Sequence, residues 1–137
     1  MEVVEELIRS EEDGTLSFGN FTLPQKSKVN EFEHGGDIYK VKTYNEITKL
    51  EKNGMFVYES VPGTAVFHFE QTETSVSFQV EASEDVQITL GMEEEKEYKV
   101  FVDQTQVGKM KTGLGGKLTI SVEMEAGRAA DVTITEA

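Results

Sequence analysis

Cysteine and tryptophan are absent from this 137-residue chain, and proline occurs only twice. Without cysteine the chain has no disulfide, no thiolate nucleophile, no iron–sulfur cluster and no cysteine-based zinc site. No apolar run approaches the ~20 residues of a membrane-spanning helix, and residues 1–8 lack the basic and apolar regions of a signal peptide. We therefore expect a cytoplasmic protein without a cofactor, and a mature fragment of a secreted protein is the alternative.

Basic residues are scarce. The chain has 13 lysines and arginines against 26 acidic residues, which gives a formal net charge of −13 at pH 7. Such a charge repels phosphate backbones and anionic headgroups, so we expect neither nucleic acid nor a membrane surface as a partner. The length suits one compact domain or two minimal domains that share an interface.

Short segments in which apolar and polar residues alternate run along most of the chain. This pattern is typical of antiparallel strands that have one face on a core. It is clearest in residues 75–80, 87–90, 98–102, 118–122 and 132–134, and less regular in 16–18, 38–41, 55–58 and 66–69. Segments 3–8 and 44–50 also fit a helical face, but we expect a strand in the first and a short turn or strand in the second. The spacing of about ten residues between strands predicts an all-β fold, an antiparallel β-sandwich.

The two halves of the chain share short motifs in the same order. The paired segments are Leu16-Ser17-Phe18 with Val76-Ser77-Phe78, Tyr39-Lys40-Val41 with Tyr98-Lys99-Val100, and Pro62-Gly63 with Ala126-Gly127. We interpret them as an internal duplication, with a first β repeat over 1–62 and a second over 63–137. The alternative is a single irregular sandwich of about ten to twelve strands.

Several longer motifs carry a resemblance to a known family. They are Asp13-Gly14-Thr15-Leu16-Ser17-Phe18-Gly19, Tyr39-Lys40-Val41-Lys42-Thr43, Ile47-Thr48-Lys49-Leu50-Glu51-Lys52-Asn53-Gly54, Val57-Tyr58-Glu59-Ser60-Val61-Pro62-Gly63-Thr64 and Met110-Lys111-Thr112-Gly113-Leu114-Gly115-Gly116-Lys117-Leu118. Through them the chain resembles a family of short uncharacterised proteins from anaerobic Gram-positive gut bacteria, often labelled endosialidase. The resemblance implies a glycoside hydrolase that cleaves within polysialic acid. Hydrolysis of sialic acid needs a cluster of arginines for the substrate carboxylate, whereas Arg9 and Arg128 are the only two in this chain.

The second half also looks like the small immunoglobulin-like or fibronectin type III modules of bacterial surface proteins. The likeness lies in Leu90-Gly91, Glu97-Tyr98-Lys99-Val100, Asp103, the hairpin before Gly108 and the strand after Gly116. It implies two immunoglobulin-like repeats packed together. Such modules serve as spacers, adhesion units or ligand binders, and the fold does not choose among these roles.

The other chemistry-bearing residues do not combine into a recognisable site. We expect His34 in an exposed loop and His68 on the polar face of a strand, neither of them a metal ligand or a general base. Residues 113–117 are interpreted as a tight hairpin turn, because a phosphate-binding loop has a different spacing and precedes a helix. Glu93-Glu94-Glu95 is read as a solvated loop in preference to a calcium site. No catalytic residue and no metal ligand is assigned.

Segment 39–61 combines three of the four tyrosines with several lysines. Aromatic rings beside cations suit contact with a protein or carbohydrate partner, because they bury a large area at low entropic cost. The candidate binding residues are Lys42, Tyr44, Lys49, Phe56 and Tyr58. The alternative interpretation places Tyr39 and Tyr58 in the core. We therefore predict a non-catalytic binding or protein-interaction module, which could form a homo-oligomer through an open sheet edge, with a glycoside hydrolase as the alternative.

Overall fold

Antiparallel strands form the regular secondary structure of the computed structural model, which describes residues 2–125 and 127–137. The strands are β1 (Ile8–Ser10), β2 (Leu16–Phe18), β3 (Ser27–His34), β4 (Asp37–Thr43), β5 (Thr48–Lys52), β6 (Met55–Val61), β7 (Ala65–Gln71), β8 (Ser75–Glu81), β9 (Val86–Gly91), β10 (Glu97–Val102), β11 (Thr105–Lys111), β12 (Lys117–Val122) and β13 (Ala130–Glu136). Met1 and Ala126 lie outside the described residues, and so does the predicted equivalence of Ala126-Gly127 with Pro62-Gly63.

The strands form two antiparallel sheets. The seven-stranded sheet has the order β1-β2-β7-β8-β13-β10-β11, and the six-stranded sheet has the order β12-β9-β6-β5-β4-β3. The buried residues of both sheets form one main hydrophobic cluster, so the all-β sandwich that the alternating pattern predicts is confirmed. Among the described residues, no helix is long and apolar enough to cross a bilayer.

An aromatic cluster joins the two sheets at the centre of the sandwich. Phe18, Phe69 and Phe78 come from the seven-stranded sheet, and Tyr58 comes from the facing sheet. The Tyr58 ring centroid lies 5.2 Å from that of Phe18 and 5.7 Å from that of Phe78, in edge-to-face geometry. Such pairs stabilise a core beyond the area that they bury, which explains why these positions are aromatic.

A buried network of hydroxyl groups lies beside this cluster. Tyr58 Oη is 2.9 Å from Thr64 Oγ1, which is also 2.9 Å from Ser60 Oγ. Thr48 Oγ1 lies 2.7 Å from Thr43 Oγ1 and donates to the Thr64 carbonyl at 3.0 Å. Every buried side-chain polar atom among the described residues has a hydrogen-bond partner, so the network satisfies polar groups that would otherwise destabilise the core.

The topology does not show the structural equivalence that the duplication predicts. Tyr39-Lys40-Val41 lies in β4, between β3 and β5 of the six-stranded sheet, whereas Tyr98-Lys99-Val100 lies in β10, between β13 and β11 of the other sheet. Both sheets also contain strands from each half of the chain, because β2 pairs with β7 and β6 pairs with β9. The two segments share the Tyr-Lys-Val pattern because, in both strands, the tyrosine and the valine point into the core and the lysine between them points outward.

Some of the segments that connect the strands match the predictions from the sequence, and others do not. The strand expected over residues 3–8 is wrong for residues 3–7, which form no strand, and only Ile8 belongs to β1; residues 44–47 form a turn, as expected. The glycine-rich segment 113–117 is not a hairpin turn, because it leads from β11 in one sheet to β12 in the other. Gly116 has φ +69°, and a Cβ there would lie 2.3 Å from the Met92 carbonyl oxygen, so glycine is required at this crossing. Glu93-Glu94-Glu95 forms an exposed connection between β9 and β10.

Candidate functional site

Five lysines gather on the outer face of the six-stranded sheet near its β3 edge. We call Lys26, Lys28, Lys40, Lys42 and Lys49 the lysine face. Their direction follows from strand alternation: Tyr39 and Val41 of β4 and Leu50 of β5 are buried, so the lysines between and beside them point away from the core.

Three of these lysines lie directly opposite one another. Lys42 of β4 is in register with Lys28 of β3 on one side and with Lys49 of β5 on the other. Like charges on adjacent strands repel, and each such pair typically destabilises a sheet by a few tenths of a kcal/mol to about 1 kcal/mol. The pKa of Lys42 is lowered, first by partial burial and then by the charges of Lys26, Lys28, Lys49 and Lys40. The row therefore concentrates positive charge at one spot of an acidic protein.

Few carboxylates balance this charge. Glu59 lies opposite Lys49, and Glu51 lies opposite Lys40. The ion pairs within 4.0 Å among the described residues use other cations, namely Arg9, Lys52, His68, Lys96, Lys109 and Arg128. Lys40, Lys42, Lys49 and Glu51 line a small depression of about 40 Å³. The lysine ammonium groups of this face are thus available to a partner.

Two predicted aromatic residues flank the lysine face. Tyr44 follows β4, and its ring centroid lies 5.8 Å from the ammonium nitrogen of Lys26, within cation–π range. Its hydroxyl donates a 2.7 Å hydrogen bond to Glu46, which is the main reason that its pKa is raised. Phe56 lies on the same outer face on β6, opposite Glu51, and Lys117 Nζ lies 4.7 Å from its ring centroid.

Tyr58 does not belong to this surface. Its side chain is fully buried, and burial raises its pKa strongly. The assignment of Tyr58 to a binding surface is therefore wrong, and the alternative interpretation as a core residue is right. A β-bulge in β6 explains why neighbouring positions differ: the register shifts between Leu50 and Glu51, so that Leu50 faces Tyr58 while Glu51 faces Phe56.

Sequence reasoning missed the two lysines at the sheet edge. Lys26 precedes β3 and Lys28 is its second residue, and the apolar–polar alternation of this mostly exposed strand is weak. The alternating Lys26-Ser27-Lys28 was the available signal, because residues two apart on a strand share a face. Lys52 belongs to the predicted segment but not to the lysine face, since it forms a 3.5 Å ion pair with Asp37.

Both histidines have polar partners that the sequence did not reveal. His34, at the end of β3 and not in a loop, has Nδ1 2.7 Å from Ser10 Oγ and Nε2 3.1 Å from the Gly14 carbonyl oxygen. His68 lies in a bulge of β7 at φ +54°, with Nδ1 3.0 Å from Asp13 Oδ2. These contacts tie the β1–β2 connection to β3 and β7. Their partners are far apart in the sequence, so no local pattern could reveal them.

Several ionisable groups outside the lysine face have hydrogen-bond or ion-pair partners. Hydrogen bonds are the main cause of the lowered pKa values of three carboxyl groups: Ser17 bonds Glu11, Thr15 bonds Asp13, and Asn53 bonds Asp37. Arg9 pairs with Glu6 and Glu11, and Arg128 pairs with Asp103 and Glu125. Within residues 2–125 and 127–137, no group of three or more His, Asp or Glu side chains is arranged to hold a metal ion.

Comparison with known proteins adds no relative to this description. No protein-family model matches the chain, and neither curated proteins nor solved structures show a significant match.

Proposed function

We propose that this protein is a non-catalytic binding module that holds an anionic partner on the lysine face. The partner is an acidic protein surface or an acidic carbohydrate that carries carboxylate or sulfate groups. Tyr44 and Phe56 contribute flat apolar contact beside the charges. The likeness of the second half to immunoglobulin-like modules stays a prediction, and a ligand-binding role for such a module agrees with this proposal.

The observation that carries the proposal is the row of Lys28, Lys42 and Lys49 in direct register. Adjacent strands lie about 4.8 Å apart, so the row spans roughly 10 Å, which is close to the Debye length at physiological ionic strength. A ligand that touches the row interacts with all three charges, whereas the acidic remainder of the surface repels it. Anion binding would also relieve the repulsion between Lys42 and its lysine neighbours.

A binding measurement with defined polyanions tests the proposal. The probes are heparin, a polyglutamate peptide and polysialic acid, with neutral dextran as the control, measured by calorimetry at low salt. Replacing Lys42 and Lys49 by glutamine should weaken binding of the best anionic probe about fivefold to thirtyfold, which corresponds to about 0.5–1 kcal/mol for each lost charge contact. Added salt should weaken the wild-type complex further.

The matched control is the double variant Lys109→Gln with Lys111→Gln. It removes the same total charge from β11, an edge strand of the other sheet. Equal losses in the two double variants would show that only total charge matters and would refute a specific lysine face. The proposal also fails if none of the anionic probes binds.

The polysialic acid arm separates this proposal from the glycoside hydrolase that the family resemblance implies. Chain length is followed by anion-exchange chromatography over a long incubation. If purified protein shortens the polymer, the protein is a hydrolase and the proposal of a non-catalytic binding module is refuted. Binding that leaves the chain length unchanged agrees with the proposal.

A further inference from the structure

Two sheet edges border a groove at one side of the sandwich. Strand β11 ends the seven-stranded sheet, and β12 ends the six-stranded sheet. A groove of about 540 Å³ lies beside the C-terminal end of β12. Its apolar lining includes Val102 of β10, Val107 of β11 and Val122 of β12, and much of the remaining lining comes from the connections at that end of the sandwich. We call it the edge groove. It lies on the β12 side of the six-stranded sheet, whereas the lysine face lies at the β3 end of that sheet.

Among the described residues, β12 is the edge strand of the four with the fewest features that block pairing. Edge β1 has only three residues, and edges β3 and β11 each have a register shift and carry lysines. By contrast, β12 pairs with β9 over six residues without a shift. Its residues alternate regularly between exposed and buried, and Lys117 is its only charge. Flat, regular edges of this kind accept an added strand, whereas bulges and lysines prevent it.

Apolar side chains next to this edge are left uncovered. Val107 is 60% exposed, Met110 is 37% exposed, and Leu114, in the connection to β12, is 77% exposed. Strand β11 is exposed along nearly its whole length. A segment that extends the six-stranded sheet beyond β12 would reach the edge groove at the C-terminal end of β12, where Val107 of β11 lines it. The backbone of this segment would form hydrogen bonds with the unpaired N–H and C=O groups of β12. Its apolar side chains would be buried against those of the groove.

The charges around the groove specify the chemistry of the added segment. The lining contains four carboxylates and one cation, namely Asp85, Asp103, Glu123, Glu125 and Arg128. Arg128 is already paired with Asp103 and Glu125, at 3.7 and 3.5 Å. The remaining negative charge favours a basic segment and disfavours an acidic one.

We infer that the edge groove binds a basic, extended segment of another protein, which adds to β12 as a further antiparallel strand. Backbone hydrogen bonds to β12 supply much of the affinity, alternate apolar side chains enter the groove, and lysines or arginines contact the carboxylates. This site is independent of the lysine face, because it has the opposite charge and lies elsewhere on the sandwich.

A designed peptide tests the inference. The probe is acetyl-KVTVKVTVK-amide, labelled with a fluorophore and titrated with the intact protein. Two peptides serve as controls: one with alternate backbone nitrogens methylated, which removes the strand hydrogen bonds, and one with glutamate in place of each lysine. We expect both controls to bind at least tenfold more weakly. Equal binding of the methylated peptide would overturn the added strand.

Protein variants and hydrogen exchange locate the site. Glu123→Lys should weaken binding of the basic peptide severalfold, whereas Glu94→Lys, the same change in an exposed connection, should not. Saturating peptide should protect backbone amides of β12 from exchange at least tenfold and leave those of β3 unchanged. Protection of β3 alone, or a self-associated protein whose dimerisation excludes the peptide, would overturn the inference. The lysine-face variants should bind this peptide normally, so either proposal can fail without the other.

Discussion

At the scale of single residues, the face of the sheet to which a side chain points determines whether it packs in the core or lies at the surface. Phe56 and Tyr58 are two positions apart on β6, and alternation alone would place them on the same face. The bulge at Val57 breaks that alternation, so Phe56 stays at the surface beside Lys117 while Tyr58 joins the aromatic cluster. One inserted residue thus separates a contact residue from a core residue.

The buried hydroxyl of Tyr58 gives a prediction at this scale. Tyr58→Phe removes the hydrogen bond to Thr64 Oγ1, which keeps its contact with Ser60. We expect the free energy of unfolding to fall by about 1 kcal/mol, the usual net contribution of a buried hydrogen bond. Urea denaturation followed by circular dichroism measures the change.

Tyr44→Phe is the matched control, because it removes a hydroxyl whose partner, Glu46, is exposed. Its stability should stay close to that of the wild type. Equal effects of the two substitutions would contradict the structural role of the buried network.

At the scale of strands, the burial of one face determines whether a strand can be recognised from the sequence. Strands β8, β9, β10, β12 and β13 alternate clearly because one face of each lies on the core. Strands β3 and β11 were not predicted, because they form sheet edges and are exposed on most positions. The sequence left segment 44–50, which overlaps β5, open as a short turn or strand, since Leu50 is the only buried apolar residue of β5. Strands β3 and β5 carry Lys28 and Lys49 of the lysine face.

The repulsion between the lysines of β3, β4 and β5 predicts that replacing Lys42 stabilises the protein. Lys42→Thr removes both like-charge contacts and introduces a residue that suits strands, so we expect the free energy of unfolding to rise by a few tenths of a kcal/mol to about 1 kcal/mol at low salt. Lys117→Thr introduces the same residue but removes the cation above Phe56, and it should give no gain. Thermal unfolding compares the variants, and a wild-type-like midpoint for Lys42→Thr would contradict the predicted strain.

The lowered pKa of Lys42 adds a pH dependence to the wild type. Between the folded-state pKa and the unfolded value near 10.5, the unfolded chain binds more protons than the folded chain. The contribution of Lys42 to stability therefore rises with pH in that window. The Lys42→Thr variant should lack this part of the rise, which pH-dependent urea titrations can measure.

At the scale of the whole molecule, the net charge of −13 opposes compaction. Sodium chloride should screen this repulsion, so the unfolding temperature at pH 7 should increase by a few degrees between about 20 and 300 mM salt. Near pH 4.5, the isoelectric point, the net repulsion is small and the same salt increase should have little effect. Destabilisation by salt at pH 7 would mean that local ion pairs outweigh the overall repulsion.

The sequence by itself determined the fold class, because alternation with a period of two is a local property and turns separate the strands at short intervals. It also placed Lys42, Lys49, Tyr44 and Phe56 in one segment. Only the tertiary structure decided which strands are neighbours: it put the two Tyr-Lys-Val segments in different sheets, brought Lys28 beside Lys42, and left β12 and β11 as adjacent free edges. Strand order and register depend on contacts between distant parts of the chain, which no local pattern records.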